Sequence, residues 1–160
     1  MAQLKLTEIA QWTEKQRKLY ADYYQELWQV KSLLSSFARV RQVMDLQVCL
    51  VGEYQRAFAL FQQDRHFTPK EIAHMHRVYS GMLGESVRNL DALLLVVNAF
   101  STQMSDAQRL EIIHRAAEGM EQTYADLRAF NRQNIGLSLA RAKDAQELET
   151  FRTLYGLTHE

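Results

Sequence analysis

The sequence predicts an all-α fold: a single domain over residues 1–160, built as an up-down bundle of three long antiparallel helices, with the first or last helix open to a break. Three observations predict it. One proline and six glycines interrupt 160 residues, so helix is the default over nearly the whole chain. Alternating apolar and polar residues of the strand type are nowhere sustained, and apolar residues recur at helical spacing in three segments separated by capping signals.

The first segment runs from about Thr7 to Asp64, with Gly52 its only glycine. Tyr23, Val30, Phe37, Met44, Val51 and Phe58 recur every seven residues, flanked by Tyr20, Leu27, Leu34 and Val48, which is the spacing of a buried helix seam. The seam passes Ser35 and Ser36 unbroken, favouring one long helix over two. Arg41 and Gln55 fall on the same seam and argue against a continuous two-stranded coiled coil. Cys49 lies beside the seam, where an apolar packing role is expected.

The stretch DRHFTPKE ends that helix. Thr68 supplies a cap, Pro69 suits the first helical position, and Glu71 closes a capping box. The second helix places Ile72, Met75, Tyr79, Met82, Leu83, Leu90, Leu93, Val97 and Phe100 on one broad face, with Gly81 and Gly84 as weak points where it could kink. A second box at STQMSDAQ, Ser105 with Gln108, starts the third helix, and Asp106 sits favourably at the positive end of the helix dipole. Its stripe of Leu110, Ile113, Ala117, Met120, Tyr124 and Leu127 continues less cleanly through Phe130, Leu137 and Ala140. Asn131 and Asn134 read either as buried, register-setting polar groups or as the end of the stripe. The last turn is expected in LETFRTLYGL, ending at Gly156, a residue suited to a left-handed C-cap.

Short connections force such helices to alternate in direction. At about 1.5 Å per residue, the first helix would be about 85 Å long and the second about 50 Å, so one must overhang, bend or break. An overhanging N-terminal end would expose Trp12, Tyr20, Tyr23, Tyr24 and Trp28. Tyrosine and tryptophan combine large apolar area with a polar tip and are enriched at interfaces, so these five are the candidate partner-binding residues. Core packing is the competing reading, since Tyr20 and Tyr23 follow the seam while Tyr24 and Trp28 drift off it.

Composition narrows the functional classes. Nineteen basic and nineteen acidic side chains cancel, leaving no overall field to attract nucleic acid or an anionic membrane. No direct nucleic-acid binding is expected. The longest apolar stretch, Ala92 to Val97, is far too short to span a bilayer. A lone cysteine cannot form an internal disulfide. MAQLKLTEIA lacks the order of a secretion signal, which leaves a cytosolic protein or the mature part of a longer exported one as the two expectations.

No enzymatic activity, cofactor or metal site is expected. His74 and His76 point about 200° apart on a helix, whereas helical metal pairs use a spacing of three or four. EIIH, Glu111 to His114, matches one half of a bundle di-metal motif that requires two copies. Gly81 and Gly84 in SGMLGES lack the lysine and preceding strand of a phosphate loop. Arg39 and Arg41, with Lys15, Arg17 and Lys18, are balanced by Asp45, Glu14 and Asp22, and read as solvated helix faces.

Several long strings carry a resemblance: KQRKLYADYYQELWQVK at Lys15 to Lys31, the run DRHFTPKEIAHMHRVYSGMLGESVRNLDALLLVVNAFSTQMSDAQRLEII from Asp64 to Ile113, LRAFNRQNIGLSLARA from Leu127 to Ala142, and LYGL at Leu154. In these the chain resembles the TraI proteins of Bacteroidetes conjugative transposons, which are unrelated to the enterobacterial relaxase of that name. The resemblance implies a structural or adaptor subunit of the mating apparatus, a type IV secretion machine. Its expected partners are other conjugation-apparatus proteins, and a homo-oligomer is a further open assembly. Members of the family begin with an export signal that this sequence lacks, so the resemblance implies the C-terminal domain of a periplasmic or exported protein. By analogy, its helical character is similar to that of minor-pilus or tip components of other type IV systems. The alternative is a cytosolic helical regulator or chaperone-like adaptor of the same element.

Overall fold

A computed structural model describes residues 34–98, 104–142 and 145–156. Among these residues there are four helices and no strand: α1 (Leu34–Gln63), α2 (Pro69–Asn98), α3 (Asp106–Arg141) and α4 (Ala145–Tyr155). The all-helical expectation holds. The fourth helix departs from the expected three, because α3 stops where Ala142 turns to an extended backbone (φ −64°, ψ 123°). The chain then re-enters a short helix that ends ahead of Gly156, whose φ of 66° is the left-handed value the sequence anticipated.

The long helices alternate in direction. Tyr54 meets Tyr79 and Phe61 meets Phe67, so α1 and α2 run oppositely. Arg141 pairs with Glu71 and Asn131 with Tyr79, so α2 and α3 do too. Arg39 reaches Glu121 and Asp64 reaches Ser138, which makes α1 and α3 parallel. Both capping boxes form. Thr68 N–H donates to Glu71 Oε2 at 2.8 Å while Thr68 Oγ1 accepts from the Glu71 N–H at 3.3 Å, and Ser105 and Gln108 exchange the equivalent pair. These reciprocal bonds satisfy donors that a helix start leaves orphaned. α2 runs unbroken through Gly81 and Gly84.

Val43, Leu50, Phe61, Tyr79, Leu90, Leu93, Met120 and Leu127 make up much of the fully buried core. On α1, Met44 and Val51 are buried as the seam predicts, but the column packed beside them is Val40, Gln47, Tyr54 and Phe61. The expected column faces outward: Arg41 and Gln55 are exposed, and Val48 is 42% exposed. Cys49, expected to pack, is also exposed. The cause is that α2 and α3 both settle on the Gln47 side of the helix, turning the Val48 and Cys49 side to solvent. Seam positions N-terminal to Leu34 lie outside the described residues, as does the continuity of the first helix through them.

On α3, Leu110, Leu137 and Ala140 were expected on the buried stripe but are exposed. The buried face instead continues through Ile113, Ala117, Met120, Thr123, Leu127, Asn131, Asn134 and Ser138, so at its C-terminal end it keeps the helical period while turning polar. Gly119 on α3 leaves room for the Asn89 side chain of α2: a Cβ there would lie 2.7 Å from Asn89 Oδ1.

Two substitutions test these packing statements. Gln47 is wholly buried and neither of its amide atoms has a partner among the described residues, so Gln47→Leu should raise unfolding free energy by about 1–2 kcal/mol; a loss of stability in urea denaturation would contradict this. Gly81 is exposed, and a Cβ there would meet nothing within 4 Å. Gly81→Ala should therefore stabilise by about 0.5–1 kcal/mol, raising the melting temperature by about 1–4 °C.

Candidate functional site

Two features stand out beyond the apolar core: a buried polar junction at one end of the bundle, and an open groove beside it. The junction centres on Asp64, the residue after α1, which is 6% exposed. Its Oδ1 accepts the His66 backbone N–H at 2.9 Å and lies 2.8 Å from His66 Nδ1. Its Oδ2 accepts the hydroxyls of Ser138 at 2.5 Å and Tyr155 at 2.8 Å. The bond to the His66 N–H is an Asx turn, so a residue that ends one helix also shapes the loop leading to the next. Ser138 comes from α3 and Tyr155 from α4, and one carboxylate thereby joins three helices and a loop.

Burial pushes the Asp64 carboxyl upward, but hydrogen bonds from Ser138, the His66 N–H and Tyr155 outweigh it and hold the pKa below its ordinary value. Burial, then the bond to Asp64, drives the Tyr155 phenol upward, so it stays a donor. A carboxylate can only accept, so His66 Nδ1 carries the proton it gives Asp64. Nε2 is buried without a partner among the described residues.

Asp64, His66 and Ser138 share residue types with a hydrolytic triad but not its geometry. The Ser138 proton is committed to Asp64, and Ser138 approaches Nδ1 at 3.1 Å rather than Nε2. A triad histidine uses one ring nitrogen for the carboxylate and the other for the nucleophile. Ser138 is also fully buried. The trio holds the loop in place and is not arranged to activate a nucleophile.

An outer clamp closes over the junction. Arg141 Nη2 donates to Glu71 Oε1 at 2.7 Å and Nη1 to Oε2 at 3.2 Å, while Nη1 also reaches the His66 carbonyl at 2.7 Å. The guanidinium lies 5.8 Å from the centre of the Phe67 ring. Hydrogen bonding from Arg141, then from the Thr68 N–H and hydroxyl, holds the Glu71 carboxyl at about 2. Glu71 thus serves both as a capping-box acceptor and as the anchor for the end of α3.

The groove, about 340 Å³ in volume, opens between α1 and α3 and is closed at one end by Tyr155. Ala57, Leu60, Phe61 and Ile135 give it an apolar floor, and Arg56, Arg128 and Arg132 stand on its rim. All three arginines are exposed. Glu53, the acidic group of the lining, is engaged elsewhere, accepting from the Tyr124 hydroxyl at 2.9 Å and from Asn131 Nδ2 at 3.5 Å. Asn131 in turn accepts from Tyr79 at 2.5 Å, so a buried polar chain backs the groove wall.

No protein-family profile, curated protein or solved structure matches this chain.

The candidate partner-binding residues Trp12, Tyr20, Tyr23, Tyr24 and Trp28 lie outside the described residues, as do Lys15, Arg17, Lys18, Glu14 and Asp22. His74 is exposed, and His76 lies against the Phe58 ring at 5.8 Å. Glu111 pairs with Arg115, and His114 sits 3.0 Å from Glu118. Among the described residues no cluster of three or more His, Cys, Asp or Glu is placed to hold a metal ion. The groove arginines and the Asp64 junction are absent from the sequence reading. The available signals were the spacing of four between Arg128 and Arg132, and the polar residues Asn131, Asn134 and Ser138 kept at helical period.

The junction carries a pH prediction. Asp64 and Glu71 both have folded pKa values below their unfolded ones. The stability they contribute is complete above the unfolded values and drains as pH falls through the folded ones, which for Glu71 spans from 4.5 down to about 2. Asp64→Asn places N–H donors against the Tyr155 and Ser138 hydroxyls and should cost about 2–3 kcal/mol at neutral pH. Its stability should also vary less than the parent's during acid titration followed by circular dichroism. Equal stability of the two proteins at pH 7 would remove the junction from its role.

Proposed function

We propose that this chain is a non-enzymatic structural or adaptor component of a conjugative type IV secretion apparatus, acting in the periplasm through contacts with other proteins of the machine. The observation that carries the reading is the resemblance of Lys15 to Lys31, Asp64 to Ile113 and Leu127 to Ala142 to the TraI proteins of conjugative transposons. The architecture supports it. Long rods locked by cross-helix polar contacts suit a scaffold, and the described surface offers apolar side chains such as Leu95, 69% exposed, together with the groove between α1 and α3. No described helix is long and apolar enough to cross a membrane. In this reading the three long rods form an up-down bundle, α4 buttresses one end of it, and the aromatic N-terminal segment is the foremost partner surface.

Deleting the gene should abolish conjugative transfer, and the unaltered gene supplied in trans should restore it. Tyr24→Ala combined with Trp28→Ala should fail to restore transfer while keeping the parent's helical circular dichroism. Normal transfer by that variant would remove the aromatic segment from the interface, and normal transfer by the deletion strain would end the conjugative assignment.

A further inference from the structure

The groove between α1 and α3 has a charge and shape that specify an occupant. The chain is neutral overall, yet the groove lining carries three guanidinium groups against one carboxylate. Arg128 and Arg132 stand one helical turn apart, where like charges repel. Neither has an ion pair among the described residues; Arg128 lies 5.9 Å from the centre of the Tyr124 ring. Arg56 has none either, and Glu53 is held by Tyr124 and Asn131. A cationic rim with no ion-pair partner among the described residues, beside an apolar floor, matches a ligand with carboxylates flanking apolar side chains.

The geometry points to an acidic amphipathic helix of another protein as that occupant. The groove lies between two long parallel rods, and its 340 Å³ holds a few side chains rather than a whole helix. A docked helix would therefore seat one apolar stripe over Leu60, Phe61 and Ile135, which is the helix-in-groove mode of recognition. Its glutamates or aspartates would reach Arg56, Arg128 and Arg132, whose forked donors match a carboxylate with two bonds each. Tyr155, fixed by its bond to Asp64, sets one end of the seat. This deepens the reading of the chain as a protein that works by protein contacts, and it rests on that reading.

The test uses the whole chain and two fluorescein-labelled helical peptides with the same leucine stripe, one flanked by glutamate and its sister by lysine. The glutamate peptide should bind by fluorescence anisotropy, weaken as salt is raised, and bind at least about tenfold more weakly to Arg128→Glu/Arg132→Glu and to Arg56→Glu. The lysine peptide should not bind the parent. These arginines are exposed, so thermal melts of the variants should match the parent. Equal binding of both peptides, binding of neither, or indifference to charge reversal would each overturn the proposal. So would a parent dimer that the double variant dissociates in sedimentation, which would assign the groove to a second copy, or preferential binding to phosphatidylglycerol vesicles. The two proposals fail separately. Absent peptide binding with transfer still dependent on the gene removes only the groove, whereas peptide binding with transfer indifferent to the gene removes only the conjugative role.

Discussion

The Asp64 carboxylate, buried at the end of α1, fixes how the rest of the molecule is put together. An ionised carboxyl removed from water is costly unless its lone pairs are satisfied. Here the donors come from the adjoining loop, α3 and α4. None of those segments can slide along its neighbour without stranding the charge. The register of α1 against α3, the path of the loop and the seat of α4 are therefore set by one group. Arg141 repeats the logic outside, tying the last turn of α3 to the loop and to the first turn of α2.

Further along the bundle, polar groups again set alignment where apolar packing leaves it loose. Tyr79, Asn131, Glu53 and Tyr124 form a chain that crosses three helices. Apolar contacts are non-directional and tolerate a shift of one turn, whereas hydrogen bonds at these distances do not. The amide of Gln47, unpartnered among the described residues, shows the opposite case, a buried polar side chain that adds cost without adding a bond. The core thus combines alignment devices with at least one position where stability is forgone.

The same polar chain shapes the surface. Tyr124 and Asn131 donate to Glu53 from within, and among the described residues no ion pair joins it to the rim arginines. The junction holds Tyr155 at the groove's end. The groove's wall and its boundary at Tyr155 are thus backed by the internal network, so internal architecture and external recognition are linked through a handful of side chains.

Helicity, the two capping boxes and the stop at Gly156 were legible because they depend on local chemistry: a hydroxyl or amide three residues from a backbone N–H, or a residue free to adopt positive φ. The Met44 and Val51 seam was legible because apolar period needs no knowledge of partners. Which flanking column joined it was not, since Val48 and Gln47 lie on either side of the same ridge and hydrophobicity favours the wrong one. At the polar end of the α3 stripe the sequence left Asn131 and Asn134 open between burial and the end of the stripe, and did not point to Ser138, because Asn131 and Ser138 become core residues only when Tyr79 and Asp64 arrive to meet them. The groove is further still from the sequence, as Arg56 lies seventy-two positions from Arg128. By itself the sequence determined the helical rods, the two capped starts at Thr68 and Ser105 and the stop at Gly156, but not the end of α3 at Arg141. Tertiary structure alone decided which faces they share and which charges remain unpaired, because both depend on distances between residues remote in the chain.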